Sequence, residues 1–152
     1  MAELDDKTYS EIQDLCAKGD SLAENGNFSS ALESYWQAFD LVPEPKTDWD
    51  TATWILTAIG DANFLANDFQ AGVDNLSIAM HCPGAIGNPF IHMRLGQCQF
   101  EIGNLDRAAD ELTRAYALEG DEIFSEDDPK YFEFLKTLID TAPPKKKPWW
   151  KR

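Results

Sequence analysis

Cysteine and histidine, the residues most used for cross-links and transition-metal sites, are scarce in this sequence. Its 152 residues include three cysteines and two histidines. Cys16, Cys82 and Cys98 are odd in number, lie far apart and form no Cys-x-x-Cys pair, which argues against a disulfide framework and against a zinc site. We therefore expect reduced thiols, a cytoplasmic location, and neither a metal ion nor another cofactor.

Long hydrophobic runs are also absent. No stretch of about 18 apolar residues occurs, so no membrane-spanning helix is expected. The opening residues, MAELDDKTYSEI, lack the basic and apolar parts of a secretory signal. Apolar residues nevertheless make up 43% of the chain and aromatic residues 12%, which indicates one folded domain with a hydrophobic core.

Basic residues are few, except at the C-terminus. The chain has 13 basic and 27 acidic residues, for a net charge of −14. Five of the 13 lie in the last eight positions: Lys145, Lys146, Lys147, Lys151 and Arg152. Residues 1–144 therefore carry a net charge of −19. This charge disfavours nucleic-acid binding and favours a protein or peptide partner with a basic surface.

No catalytic motif is present. There is no glycine-rich phosphate loop and no nucleophile motif. His81 stands beside Cys82, but no motif supplies further metal ligands or an acidic partner. Among 27 acidic residues, neighbouring carboxylates are expected by chance, so we do not expect an enzyme.

One pattern of residues occurs three times along the chain. Each copy opens on a glycine, has a turn pair seven positions later, and has small residues twelve and nineteen positions later. The three copies are Gly19, Gly26-Asn27, Ala31 and Ala38; Gly60, Asn67-Asp68, Gly72 and Ala79; and Gly96, Gly103-Asn104, Ala108 and Ala115. The steps between the opening glycines are 41 and 36 residues, a period that indicates stacked supersecondary units.

The pattern resembles the tetratricopeptide repeat (TPR), a helix-turn-helix motif of about 34 residues. In the first copy Leu15, Gly19, Leu22, Gly26, Phe28, Ala31, Tyr35, Ala38 and Pro43 fall on motif positions. The second copy departs at Asn67 and Gly72, and the third at His92; Gly84 and Gly120 replace the closing proline. The resemblance implies an all-α fold, an α-solenoid of three helix-turn-helix units at about 12–45, 53–86 and 89–122. As a small stand-alone protein with three repeats, the chain resembles bacterial members of this family.

Helix-start signals divide the chain further. Thr8 with Glu11 has the spacing of a capping box, which predicts a first helix from about residue 9. Asp48 is a candidate N-cap for the second unit. Asn88-Pro89 and Asp128-Pro129 predict two later helix starts. The last helix, at about 129–141, would cap the open end of a helical domain at 1–141.

The resemblance also implies a partner-binding groove, lined by the first helix of each unit. Transferred by motif position, the groove residues are Asp20, Glu24, Trp54, Thr57, Asp61, Phe64, Leu65, Phe90, Met93, Gln97, Phe100 and Glu101. Phe64 and Phe100 suit either the groove or the packing between helices. Polar residues on this face have no evident structural reason, which favours a binding role for Asp61, Gln97 and Glu101.

The segment 142–152, APPKKKPWWKR, is expected to be a flexible basic tail, since its prolines disfavour a helix. Trp149 and Trp150 are unusual in such a tail. They could contact the acidic body of the same chain, a second copy, or a partner. The sequence is compatible with a monomer or a dimer.

Together these features predict a protein–protein interaction module. The most concrete form is an immunity protein, whose acidic body masks a basic site on a cognate toxin. The alternatives are a chaperone similar to those of type III secretion, which holds a translocator segment, and an assembly adaptor. Such chaperones usually carry a longer N-terminal helix than the few residues found here.

Overall fold

The computed structural model describes residues 4–139, which form seven α-helices and no strand. The helices are α1 (Asp6–Glu24), α2 (Phe28–Asp40), α3 (Asp50–Leu65), α4 (Phe69–Ala79), α5 (Pro89–Glu101), α6 (Leu105–Glu119) and α7 (Pro129–Lys136). Short 3-10 helices occupy Lys46–Asp48 and Gly120–Phe124. The tail at 142–152, with Trp149 and Trp150, lies outside the described residues. Within residues 4–139, no helix is long and apolar enough to cross a membrane.

The helices form three hairpins stacked in chain order. α1 packs against α2, α3 against α4, and α5 against α6, and each hairpin contacts the next through α2 with α3 and α4 with α5. Buried Ile12, Ile55 and Ile59 belong to one apolar cluster, and Leu76 and Ile91 to a second. This arrangement confirms the predicted all-α solenoid of helix-turn-helix units.

The opening glycine of each unit is a point of close helix contact. A Cβ atom added to it would meet the residue sixteen positions later, on the second helix of the same hairpin. The pairs are Gly19 with Tyr35, Gly60 with Leu76 and Gly96 with Leu112, at 2.5, 2.3 and 2.8 Å. Real Cβ atoms do not approach other heavy atoms so closely, so glycine is needed for the two helices to pack.

The turn of each hairpin contains one residue in the left-handed region. Gly26, Asn67 and Gly103 have φ values of 77°, 62° and 83°. Asparagine is among the few non-glycine residues that adopt this conformation readily. The departure of the second unit from the TPR motif at Asn67 therefore preserves the backbone of the turn.

Two of the predicted helix starts are wrong. The side chain of Asp5 accepts a hydrogen bond from the Thr8 amide at 2.8 Å, so Asp5 is the N-cap and α1 begins at Asp6. Asp48 belongs to the 3-10 helix, and Trp49 is the residue that precedes α3. At α1 the acidic Asp5 takes the place of the predicted cap. At α3 a 3-10 helix includes the predicted cap and is separated from the helix start by one residue.

The two Pro-containing helix starts are confirmed. The Asn88 side chain accepts from the Phe90 and Ile91 amides, and the Asp128 side chain accepts from the Lys130 amide at 3.0 Å. The last helix is shorter than the predicted 129–141, because α7 ends at Lys136. Tighter turns follow, with the Leu138 amide donating to the Leu135 carbonyl at 2.9 Å.

His92, the departure in the third unit, is a buried and fully hydrogen-bonded residue. Its Nε2 accepts from the Gly87 amide at 3.0 Å, so its Nδ1 carries the proton and donates to Glu111 at 2.6 Å. The ring thus joins the loop before α5 to α6. The imidazole at this position of the motif is buried without leaving a buried ring nitrogen unpaired.

Candidate functional site: the face formed by the first helix of each hairpin

The twelve predicted groove residues lie on α1, α3 and α5, the first helices of the three hairpins. We call the surface that these residues form the inner face. α3 and α5 contact each other directly along it. Their contacts decide which part of the inner face is open.

Arg94 lies at the centre of the inner face, between α3 and α5. Its Nε is 2.8 Å from a carboxylate oxygen of Asp61, and its side chain is only 9% exposed. The guanidinium lies over the rings of Phe64 and Phe90, at 4.3 and 5.0 Å from their centroids. Burial raises the pKa of Asp61, although the charge of Arg94 opposes this shift. Arg94 therefore joins two hairpins through its ion pair with Asp61 and its cation–π contact with Phe64, whereas Phe90 lies on its own helix.

Asp127, in the segment before α7, reaches the same arginine. Its carboxylate lies 3.4 Å from Nη1 of Arg94 and accepts from Nε2 of Gln97 at 3.0 Å. Gln97 in turn accepts from Arg94 at 2.8 Å and is fully buried. The three side chains form a closed polar network that fastens the segment onto α5.

Tyr131, on α7, extends this attachment towards the end of α5. Its hydroxyl donates to Glu101 at 2.7 Å, and the ammonium of Lys130 pairs with the same carboxylate. Burial, followed by the hydrogen bond to Glu101, raises the pKa of Tyr131. Glu101 is thus engaged from two neighbouring residues of α7.

The aromatic residues of the inner face pack against α7. The ring of Tyr131 lies 6.1 Å from that of Phe64 and 5.5 Å from that of Phe100. Phe134 lies 5.1 Å from Phe100. Both phenylalanines therefore take the second of their two predicted roles, packing between helices, and both are partly buried.

The structure corrects the expected accessibility of the third unit. Gln97 is completely buried, and Met93, which is 3% exposed, belongs to an apolar cluster with Leu112 and Leu135. Asp61, Gln97 and Glu101 each have intramolecular partners, so the premise that nothing in the fold explains these polar residues is wrong. For Gln97 and Glu101 the physical reason is that residues 120–139 fold back over α5, whereas Asp61 is engaged by Arg94 of α5 itself.

The part of the inner face on α1 and α3 remains accessible. Asp20 and Glu24 are exposed, and so are the apolar side chains of Trp54 (39%) and Leu65 (44%). We call these four residues the open face. Thr57, also predicted there, is half-buried, and its hydroxyl donates to the Thr53 carbonyl at 2.7 Å.

Asp20 is held in place from beneath the open face. It accepts a hydrogen bond from the hydroxyl of buried Tyr35 at 2.6 Å. Burial and this bond raise the pKa of Tyr35, and the charge of Asp61 adds to the shift. Asp20 and Asp61, which follow the opening glycines of their units, therefore act on the same tyrosine. The open face presents acidic groups on α1 and exposed apolar groups on α3.

Sequence reasoning missed Arg94, Asp127 and Tyr131. A signal for Arg94 existed, because it is the single basic residue of α5 and stands between Met93 and Gln97. No comparable signal marks Asp127 among the acidic residues around it. Within residues 4–139, no three His, Cys, Asp or Glu side chains come together in a way that could hold a metal ion.

No protein-family model matches the sequence, and no curated protein matches it. Solved structures do match the fold. The first TPR domain of Spaghetti (RPAP3), bound to the HSP90 peptide SRMEEVD, superposes with a TM-score of 0.66 at 17% identity, over 84% of this chain and 90% of that one. The chain has a tetratricopeptide-repeat fold.

Two further structures share the TPR fold. The second TPR domain of human RPAP3, in complex with the HSP70 peptide SGPTIEEVD, has a TM-score of 0.66 at 12% identity, over 86% of this chain and 96% of that one. MamA has a TM-score of 0.66 at 18% identity, over 83% of this chain and 65% of its own. At these identities the likeness concerns the TPR fold alone.

Proposed function

We propose that this TPR protein is a protein-binding module, and that its open face receives a segment of another protein. The observation that carries the proposal is the exposure of Trp54 and Leu65 on α3, together with that of Asp20 and Glu24 on α1, the first helix of the preceding hairpin. Exposed aromatic and aliphatic anchors with charged neighbours are typical of recognition surfaces. The corresponding part of α5 is already covered by residues of the same chain.

The charge of the open face determines the chemistry of the partner that we propose. The peptides named for the two RPAP3 domains, SRMEEVD and SGPTIEEVD, end in acidic residues. Here the open face is acidic and the chain carries a net charge of −14, so such peptides would be repelled. We therefore propose a basic segment that carries an apolar anchor, with lysine or arginine against Asp20 and Glu24.

A titration tests this proposal. A fluorescent peptide that alternates lysine pairs with leucine is the basic probe, and SRMEEVD is the acidic one. The basic probe should bind the wild type, and the Asp20→Lys/Glu24→Lys variant should weaken binding by about tenfold or more. Trp54→Ala should weaken it without any change of charge.

The matched control is Glu33→Lys/Glu119→Lys, which makes the same change of charge at exposed positions of α2 and α6. If this control weakens binding as much as the open-face variant, the attraction is that of the whole acidic protein and the proposed site is wrong. Tighter binding of SRMEEVD than of the basic probe would reject the proposed partner chemistry.

We propose the immunity protein as the biological form of this module, since an acidic face suits the masking of a basic active site on a toxin. The test partner is a nuclease toxin sought in the gene next to the one that encodes this protein. The nuclease activity should be lost when the wild-type protein is added. It should be retained when the Asp20→Lys/Glu24→Lys variant is added instead. A partner protein that is instead protected from protease as an extended segment would identify a chaperone and reject the immunity role.

A further inference from the structure

A second surface feature lies away from the inner face, at the start of α3. It is a groove of about 980 Å³ between the N-terminal part of α1, the segment before α3 and the residues after α4. Its apolar lining includes Tyr9, Pro45, Trp49 and Pro83. The Trp49 indole donates to the Pro43 carbonyl at 2.9 Å, which fixes the ring, and Tyr9 is 41% exposed. The groove therefore offers aromatic and proline surfaces to solvent, and the Trp49 ring among them is fixed.

Three carboxylates border the groove, those of Glu44, Asp48 and Asp50. All three are exposed, and none has a basic partner among residues 4–139. The cation nearest in sequence, Lys46, is engaged elsewhere, because its ammonium donates to three carbonyl oxygens at the end of α2. The groove is thus both apolar and negatively charged, which is the surface that a basic, aromatic segment would complement.

We propose that this groove is the docking site of the chain's own C-terminal segment, residues 145–152. That segment, KKKPWWKR, has five basic residues, no acidic residue and two adjacent tryptophans. Trp149 and Trp150 would lie against Tyr9 and Trp49, with lysines beside the bordering carboxylates. The apolar contacts supply most of the affinity, because exposed ion pairs contribute little on their own.

The length of the connecting segment limits how far the tail can reach within one molecule. Ten residues lead from Ile139, the last described residue, to Trp149, and an extended chain covers about 3.3 Å per residue, or about 33 Å. Docking within one molecule therefore requires that the groove lie within about 33 Å of Ile139. Pro143, Pro144 and Pro148 disfavour a shorter, helical path.

The experiment places a nitroxide label at position 152 of the chain. Arg152→Cys provides the attachment point, and wild-type protein, whose three cysteines are buried, serves as the labelling control. The label should remove the amide signals of Thr47 and Asp48 and the indole signal of Trp49, relative to the average of the described chain. Signals that are lost evenly over the protein, or not at all, would overturn the proposal.

Variants assign the effect to the groove. Glu44→Lys/Asp48→Lys should restore the lost signals, and so should Trp149→Ala/Trp150→Ala. Glu33→Lys/Glu119→Lys, with the same change of charge outside the groove, should not. The groove is rejected as the site if the signal loss persists in Glu44→Lys/Asp48→Lys. It is also rejected if the signal loss disappears equally in Glu33→Lys/Glu119→Lys.

A mixing experiment shows whether the tail that docks in the groove belongs to the same molecule or to a second copy. Unlabelled ¹⁵N protein is combined with an equal amount of nitroxide-labelled ¹⁴N protein. Docking within one molecule leaves the groove signals of the ¹⁵N protein intact. Comparable loss in the mixture would show that a second copy supplies the tail, which contradicts the proposal as stated. Both results are independent of whether the open face binds a partner.

Discussion

Arg94 of α5 and Asp61 of α3 form an ion pair, with 2.8 Å between Nε and the carboxylate oxygen, at the centre of the inner face. Asp127 approaches the same guanidinium from the segment before α7. One cation therefore serves two carboxylates from different parts of the chain. This arrangement joins the second and third hairpins and covers part of α5, while the open face on α1 and α3 stays exposed.

Replacing Arg94 should destabilise the fold strongly. Arg94→Met leaves Asp61 and Asp127 without their cation in a largely buried place, and we expect a loss of about 3 kcal/mol in the free energy of unfolding, measured with urea. The control is Arg114→Met, which breaks an exposed pair with Asp110 and should cost less than about 0.5 kcal/mol. Equal losses in the two variants would contradict this account.

Asp61 should make stability depend on pH. Its pKa in the folded protein is raised above 3.8, chiefly by burial, so the folded state binds this proton more tightly than the unfolded chain does. That contribution is fully present below the unfolded pKa and is lost as pH rises through the folded value. Compared with Asp61→Asn, the wild type should lose stability as pH rises above about 4. Urea unfolding of both proteins between acidic and neutral pH measures this difference in the free energy of unfolding. A wild type that gains stability relative to Asp61→Asn as pH rises would be inconsistent with the raised pKa.

Gly60→Ala should destabilise the protein, although alanine is the better helix former by about 1 kcal/mol. The added Cβ would lie 2.3 Å from Cγ of the fully buried Leu76. We expect a loss of about 1–3 kcal/mol in urea unfolding. Leu76→Ala supplies the room, so the double variant should cost less than the sum of the two single ones. Simple additivity would show that this contact is not the cause.

The three thiols should be unreactive in the folded protein. Burial raises the pKa of Cys16 to about 11 and that of Cys98 to about 12, and it also raises the pKa of Cys82. Since the thiolate is the reacting form, a disulfide reagent at about pH 8 should modify none of them in native protein and all three in urea. Rapid modification of one thiol in native protein would show that its site opens.

Much of the fold follows from short-range features of the sequence. The spacing of Gly19, Gly60 and Gly96 from their turns predicted the three hairpins, because each hairpin is built from residues close in sequence. Asn88 and Asp128 predicted helix starts correctly, since a cap bonds to amides two or three residues away. Thr8 failed because Asp5, an equally local candidate, forms the cap instead.

The sequence by itself determined the repeated hairpin, the spacing of its glycines and the excess of acidic charge. Only the tertiary structure decided which part of the inner face stays open. The contact between Arg94 and Asp127 spans 33 positions and that between Tyr131 and Glu101 spans 30. Nothing periodic relates these partners, because α7 belongs to no repeat. Its position follows from burying Leu135 and Phe124 against the last hairpin, and that packing places Tyr131 over the phenylalanines of two units.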